Sequence, residues 1–210
     1  MQPENRSGDQ VRRSFIEEAR RAQIVRAAIE TIAEIGYAKA SFAQIARRAG
    51  ISPGLISYHF AKREELIMEV MFSVYGSMDR ALSDRTEDAA SCTEALRALI
   101  ENFVRYCADH AVEMLAVARI AASGANDAAK ARDWVDRGRE EALTELEEMF
   151  REGQRAGEFR EFSPRVMAVS VLAALEATPV ELIARPDTDI DAYADELATM
   201  FELAVRRPGD

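Results

Sequence analysis

Ser41-Phe-Ala-Gln-Ile-Ala-Arg-Arg-Ala-Gly-Ile-Ser-Pro-Gly-Leu-Ile-Ser-Tyr-His-Phe60 is the stretch around which this chain is organised. Ser41 is placed to cap a helix, and Gln44 three residues on can close a capping box with it. Ile45, Ala46 and Ala49 make one apolar face, and Gly50 stands where a left-handed residue would stop the helix. Ile51 fills the corner, and Ser52-Pro53 opens a second helix with a hydroxyl cap and a ring at the first helical position. Leu55, Ile56 and Phe60 can bury one side of that second helix. Ser57, Tyr58 and His59 are left with a polar side that suits an anionic partner. Two short helices joined through a glycine turn form a helix-turn-helix, whose second helix is the one that enters a DNA major groove.

The charge distribution agrees. The whole chain carries a net charge of −10, which argues against nucleic acid, but the charge is unevenly spread. Between Arg12 and Arg63 there are 10 basic and 4 acidic residues, a net of +6, so the remainder holds −16. A basic head on an acidic body holds DNA at one end and repels it elsewhere.

Outward from the motif, apolar residues recur at helical spacing and nowhere alternate as in a strand, so the expected fold is all-α. Residues 1–15 are read as a disordered arm; Arg12, Arg13, Arg20 and Arg21, before and at the start of the first helix, are read either as an arm touching phosphates or the neighbouring minor groove or as a solvated tail. Helix 1 is expected from near Glu17 to Ile35, and helix 4 from near Lys62, long enough to leave the head and enter the body. Ser83 to Ser91 reads as a loop, followed by helices from Ser91 to about Ala108, Val112 to Ala122, Asp127 to about Gly153 and Arg165 to about Ala184. Asp187 or Asp189 caps the last. The predicted domains are residues 16–78 for DNA binding, with the motif at 41–60, and 79–210 for ligand binding and dimerisation.

The run Ile45-Ala46-x-x-Ala49-Gly50-Ile51-Ser52-x-Gly54-x-x-x-Tyr58-His59-Phe60-x-x-Arg63-Glu64-x-Leu66 resembles the N-terminal domain of the TetR family of transcriptional regulators, over roughly Arg20 to Tyr75. Arg63 stands where that family usually carries a lysine, and Ser57 where many members carry an aromatic. The resemblance implies a transcriptional regulator, a repressor by family habit, that a small-molecule inducer releases from DNA.

Candidate DNA contacts are Ser41, Gln44, Arg47, Ser52, Pro53, Gly54, Leu55, Ser57, Tyr58, His59, Lys62 and Arg63. Pro53, Gly54 and Leu55 are expected at base edges, while Ser41, Tyr58, His59, Lys62 and Arg63 hold phosphates. The helix carries no Arg, Asn or Gln for a bidentate base contact, so specificity rests on apolar contacts, Ser57, Gln44 or Arg47, and DNA shape.

The last two helices are apolar beyond the needs of a small body, and pairing two such hairpins gives an intermolecular four-helix bundle. The expected dimer face is Val169, Leu172, Ala173, Leu175, Tyr193, Leu197, Met200 and Phe201, and the homodimer would read a near-palindromic operator. A pocket for an inducer is expected among Phe103, Tyr106, Met114, Val117, Trp134, Met149, Met167 and Val171, with Arg105, Glu113, Arg119 or Glu176 as polar anchors.

No cofactor, metal or catalytic residue is expected. His59 and His110 are the only histidines, no metal-ligand spacing occurs, and the carboxylates do not converge in sequence. A helical adaptor that binds protein and not DNA, or an all-α enzyme, are the rival readings. Two cysteines, Cys92 and Cys107, suit a reducing cytoplasm, and no apolar run approaches the ~20 residues of a membrane helix.

Overall fold

The computed structural model describes residues 5–86 and 89–207, the side chains of residues 5–14 and 83–86 excepted. Among the described residues there are nine α-helices: α1 (Asn5–Ile35), α2 (Phe42–Ala49), α3 (Pro53–His59), α4 (Arg63–Thr86), α5 (Cys92–Asp109), α6 (Ala111–Ala121), α7 (Ala129–Ala156), α8 (Pro164–Ala184) and α9 (Ile190–Val205). The only β pairing in them is an isolated bridge between Phe159 and Arg206. The all-α expectation holds.

Local sequence accounts for seven of the helix ends. Ser41, Ser52, Ser91, Ser163 and Asp189 each accept the backbone N–H three residues on. Each satisfies a donor that the first helical turn leaves unpaired. Gly50 and Gly157 end α2 and α7 with φ of 67° and 78°, a left-handed conformation that strains a side chain.

Three boundaries differ from expectation. α1 begins at Asn5, so the arm expected over residues 1–15 is helical from that residue on. Once Ile24 to Ile32 are packed, each further residue adds a hydrogen bond at little cost, and no proline interrupts the run. α4 likewise continues to Thr86, into the expected loop. α7 passes Gly153 and stops at Ala156, because Gly153 serves packing and not termination. A Cβ at that position would lie 2.2 Å from the ring of Phe159.

Two apolar clusters hold the molecule together. The first joins the head (Ile24, Ile32, Ile45, Ile56, Phe60, Leu66) to Tyr106, Met114 and Ile120 of the body without a break. The second fills the bundle of α5, α7, α8 and α9 with Leu96, Ile100, Leu143, Phe150, Phe159 and Val171. Phe103 and Leu197 touch both clusters. The head is thus packed along α6 through α1, and α4 runs from the end of α3 into the body. Contrary to the sequence reading, α8 is long and apolar enough to cross a membrane, but one side of it lies in the second cluster and Glu176 near its middle pairs with Arg139 at 2.8 Å.

Candidate nucleic-acid interface

The motif folds as its residues dictate. Ser41 caps α2 through the Gln44 N–H at 3.4 Å, and Ser52 caps α3 through the Leu55 N–H at 3.3 Å. Ile45, Ala46, Ile56 and Phe60 are buried. Burying those four leaves the opposite side of α3 outward: Pro53, Gly54, Ser57 and Tyr58 are exposed, with Leu55 and His59 half-buried. Tyr58 is 73% exposed, far more than an aromatic ring with a place in the core would be. Its ring meets His59 edge to face, 5.0 Å between centroids. The Ser57 hydroxyl donates to the Pro53 carbonyl at 3.4 Å. On the flanks, Ser41, Arg47, Ser52 and Lys62 are exposed and Gln44 is half-buried. Arg47 and Lys62 have no ion-pair partner among the described residues.

Arg21 and Arg48 turn out to be structural. Arg21, expected to touch phosphates from an arm, donates to the His59 carbonyl at 2.7 Å and to Glu69 at 2.9 Å. Arg48 binds Thr31, Glu30 and Glu34 and ties α2 to α1. Gln23 donates to the Ala49 carbonyl at 2.8 Å and closes the end of α2. Arg20 bonds Gln23, while Arg12 and Arg13 have side chains outside the described residues.

Arg63 departs furthest from its expected role as a phosphate holder. Its guanidinium lies over the Tyr37 ring at 4.2 Å, donates to the Tyr37 carbonyl, and pairs with Asp127 of the body at 3.3 Å. The Tyr37 hydroxyl donates to the other Asp127 oxygen at 2.8 Å. Burial, then this hydrogen bond, raises the Tyr37 pKa well above the ordinary phenol value. No local signal could have revealed Asp127, which lies 90 residues beyond Tyr37 in the chain.

The expected pocket residues do not converge. Met114 and Val117 are buried in the first cluster, and Trp134 packs there against Phe72 and Tyr75. Met149, Met167 and Val171 belong to the second cluster, and Phe103 lies between the two. Arg105 pairs with Glu101 and Asp191, Arg119 donates to the Ile32 carbonyl, and Glu176 is exposed on Arg139. Helical spacing marks a buried side but not which neighbour it meets. Tyr106 and Glu113 of the set share a groove of about 470 Å³ where α1 and α4 meet the α5–α6 junction.

The expected dimer face also divides. Leu175 is buried in its own subunit, and Leu172, Tyr193, Leu197 and Phe201 are half-buried against the clusters. Val169, Ala173 and Met200 point outward, and Val166, Val180 and Leu203 join them, at 65, 59 and 56% exposure.

Residues 24–70 match the family described as bacterial regulatory proteins, tetR family, and residues 89–180 the tetracyclin repressor-like C-terminal domain. The transcriptional regulator BetI 1 of Chromohalobacter salexigens is 38% identical over 88 residues, 41% of this chain and 44% of that protein. BetI of Escherichia coli is 34% identical over 84 residues, 39% and 43% of the two chains. The aligned part thus spans less than half the length of these curated relatives. Among solved structures, the fatty acid degradation regulator FadR of Bacillus halodurans superposes with a TM-score of 0.77 at 20% identity, over 90% of this chain and 97% of that one. NalD of Pseudomonas aeruginosa, described as the secondary repressor of a multidrug efflux pump, gives 0.74 at 19%, over 92% and 99%. With its motif, its head and its helical body all accounted for, the chain belongs to the TetR family of bacterial regulatory proteins.

Proposed function

We propose that this chain is a sequence-specific DNA-binding transcriptional regulator, a repressor that works as a two-fold homodimer and leaves a near-palindromic operator when a small molecule binds its body. The observation that carries this reading is the outward polar side of α3, where Tyr58 is exposed, together with the exposed cations Arg47 on α2 and Lys62 just after α3. Pro53, Gly54 and Leu55 at the start of α3 meet base edges in the major groove. Ser41, Ser52, Tyr58, His59, Arg47 and Lys62 position the head on phosphates. With no bidentate side chain on α3, the sequence is read by apolar contacts, by Ser57 or Gln44, and by DNA shape.

The outward apolar residues of α8 and α9 support the homodimer, since Val166, Val169, Val180, Met200 and Leu203 are exposed in the subunit. A second copy on this face forms a four-helix bundle and sets two α3 helices about 34–36 Å apart, one turn of DNA. Release by a ligand is supported by the groove at Val25, Ile29, Val74, Tyr106, His110 and Glu113, because anything seated there presses on both α1 and α4. Such a ligand weakens DNA binding only as far as it prefers the DNA-incompetent state. The two free thiols fit action in a reducing cytoplasm, and membership of this family points away from catalysis.

Selection of random duplexes on the purified chain, followed by fluorescence anisotropy on the enriched site, tests the proposal. Enrichment of a near-palindrome, bound with a steep salt dependence, supports it. Binding indifferent to duplex sequence, or absent, overturns it.

A further inference from the structure

Asp127 lies in the turn between α6 and α7 and makes polar contacts with the head at two separate places. Its Oδ1 accepts from the Tyr37 hydroxyl at 2.8 Å, in the connector after α1. Its Oδ2 pairs at 3.3 Å with Arg63, the first residue of α4. Arg63 closes the triangle by donating to the Tyr37 carbonyl and stacking on its ring. The turn itself is braced, because Arg132 donates to the carbonyls of Ser123 at 2.7 Å and Ala125 at 3.1 Å. Beside it, Lys130 of α7 pairs with Glu64 of α4 at 2.9 Å. The Arg63 and Asp127 side chains are half-buried, so their pair is screened less than a surface one.

We propose that Asp127 is a positioning residue for DNA binding, clasping Tyr37 and Arg63 so that the head keeps one angle on the body and the two recognition helices keep one separation. The inference rests on the two-fold reading above. It assigns Arg63 to the clasp and away from the phosphate backbone. Nothing in the clasp touches DNA. Breaking it leaves each head able to bind a half-site but loosens the distance between the two.

The test uses the full chain and duplexes built from the enriched site, with one half-site or with two at varied spacings. Asp127→Asn keeps an acceptor for Tyr37 and removes the charge that holds Arg63. It is expected to lose roughly tenfold in affinity for the best spacing, to discriminate less between spacings, and to bind a single half-site as the unaltered chain does. Asp127→Glu, which keeps the charge, is expected to recover part of the loss. Arg63→Gln is expected to mimic Asp127→Asn with an unchanged salt slope, whereas removal of a phosphate-binding cation lowers the slope by about 0.9 for each head. Melting temperatures separate loosening from unfolding. Three results overturn the clasp alone: unchanged spacing preference in Asp127→Asn, equal loss on half-site and full site, or a reduced slope in Arg63→Gln. An unaltered chain with no preferred spacing overturns the two-fold reading and the clasp with it.

Discussion

Arg21 donates to the carbonyl oxygen of His59 at 2.7 Å, so a residue of α1 closes the last turn of α3. The same guanidinium pairs with Glu69 of α4 and lies 4.3 Å from the centre of the Phe60 ring. One side chain therefore fixes the recognition helix against two others. Arg21→Ala is expected to cost about 1–2 kcal/mol of stability, as the loss of a charge-assisted hydrogen bond at a partly exposed site does. Urea denaturation measures it. DNA affinity should fall with no change in which sequence is preferred.

Gly153 supports a second expectation. The ring of Phe159 occupies the place of a Cβ at 153, and that ring is buried among Phe150 and Phe162 with little room to yield. Gly153→Ala is expected to destabilise by about 1–3 kcal/mol through overpacking, despite the better helix propensity of alanine. A Phe159→Leu background should shrink the penalty, a coupling that a double-mutant cycle reads directly.

These two sites also mark how far the sequence could be read. Ser41, Gly50, Ser52, Ser91, Ser163 and Asp189 announce their helix ends because caps act within three or four residues. The exposed side of α3 was legible for the same reason, since Ile56 and Phe60 leave Ser57 and Tyr58 nowhere else to face. Gly153 looked like a helix stop because its close neighbour is Phe159 and not its own backbone. Arg63 looked like a phosphate ligand because its partner comes from the distant α6–α7 turn. The pocket residues form regular stripes, but a stripe does not disclose that Met114 and Met149 serve different clusters.

The surface of α3 divides by task. Tyr58→Phe and Lys62→Ala are expected to weaken operator and unrelated duplexes alike, with Lys62→Ala lowering the salt slope by about 0.9 for each head. Changes at Leu55 or Ser57 are expected to alter base preference, with each altered position worth about 1–3 kcal/mol of discrimination. Titrations over several salt concentrations separate the two behaviours.

On the opposite end of the molecule, Val169→Glu or Met200→Lys would place charge on the uncovered apolar face of α8 and α9. Both residues point outward, so the subunit should fold with its melting temperature as a monomer little changed. Sedimentation is expected to give a dimer for the unaltered chain and a monomer for the variants, with operator affinity lowered at least roughly tenfold because two-site binding is lost.

The central claim is that the outward side of α3 lies in the groove of one duplex, twice per dimer. Hydroxyl-radical footprinting on the enriched site tests it most directly. Two protected patches on one face of the duplex, related by two-fold symmetry and centred about 10–10.5 base pairs apart or a multiple of that, are expected. Both should disappear in Tyr58→Ala. A footprint that survives simultaneous substitution of Leu55, Ser57 and Tyr58, or that forms a single unsymmetric patch, would contradict the account.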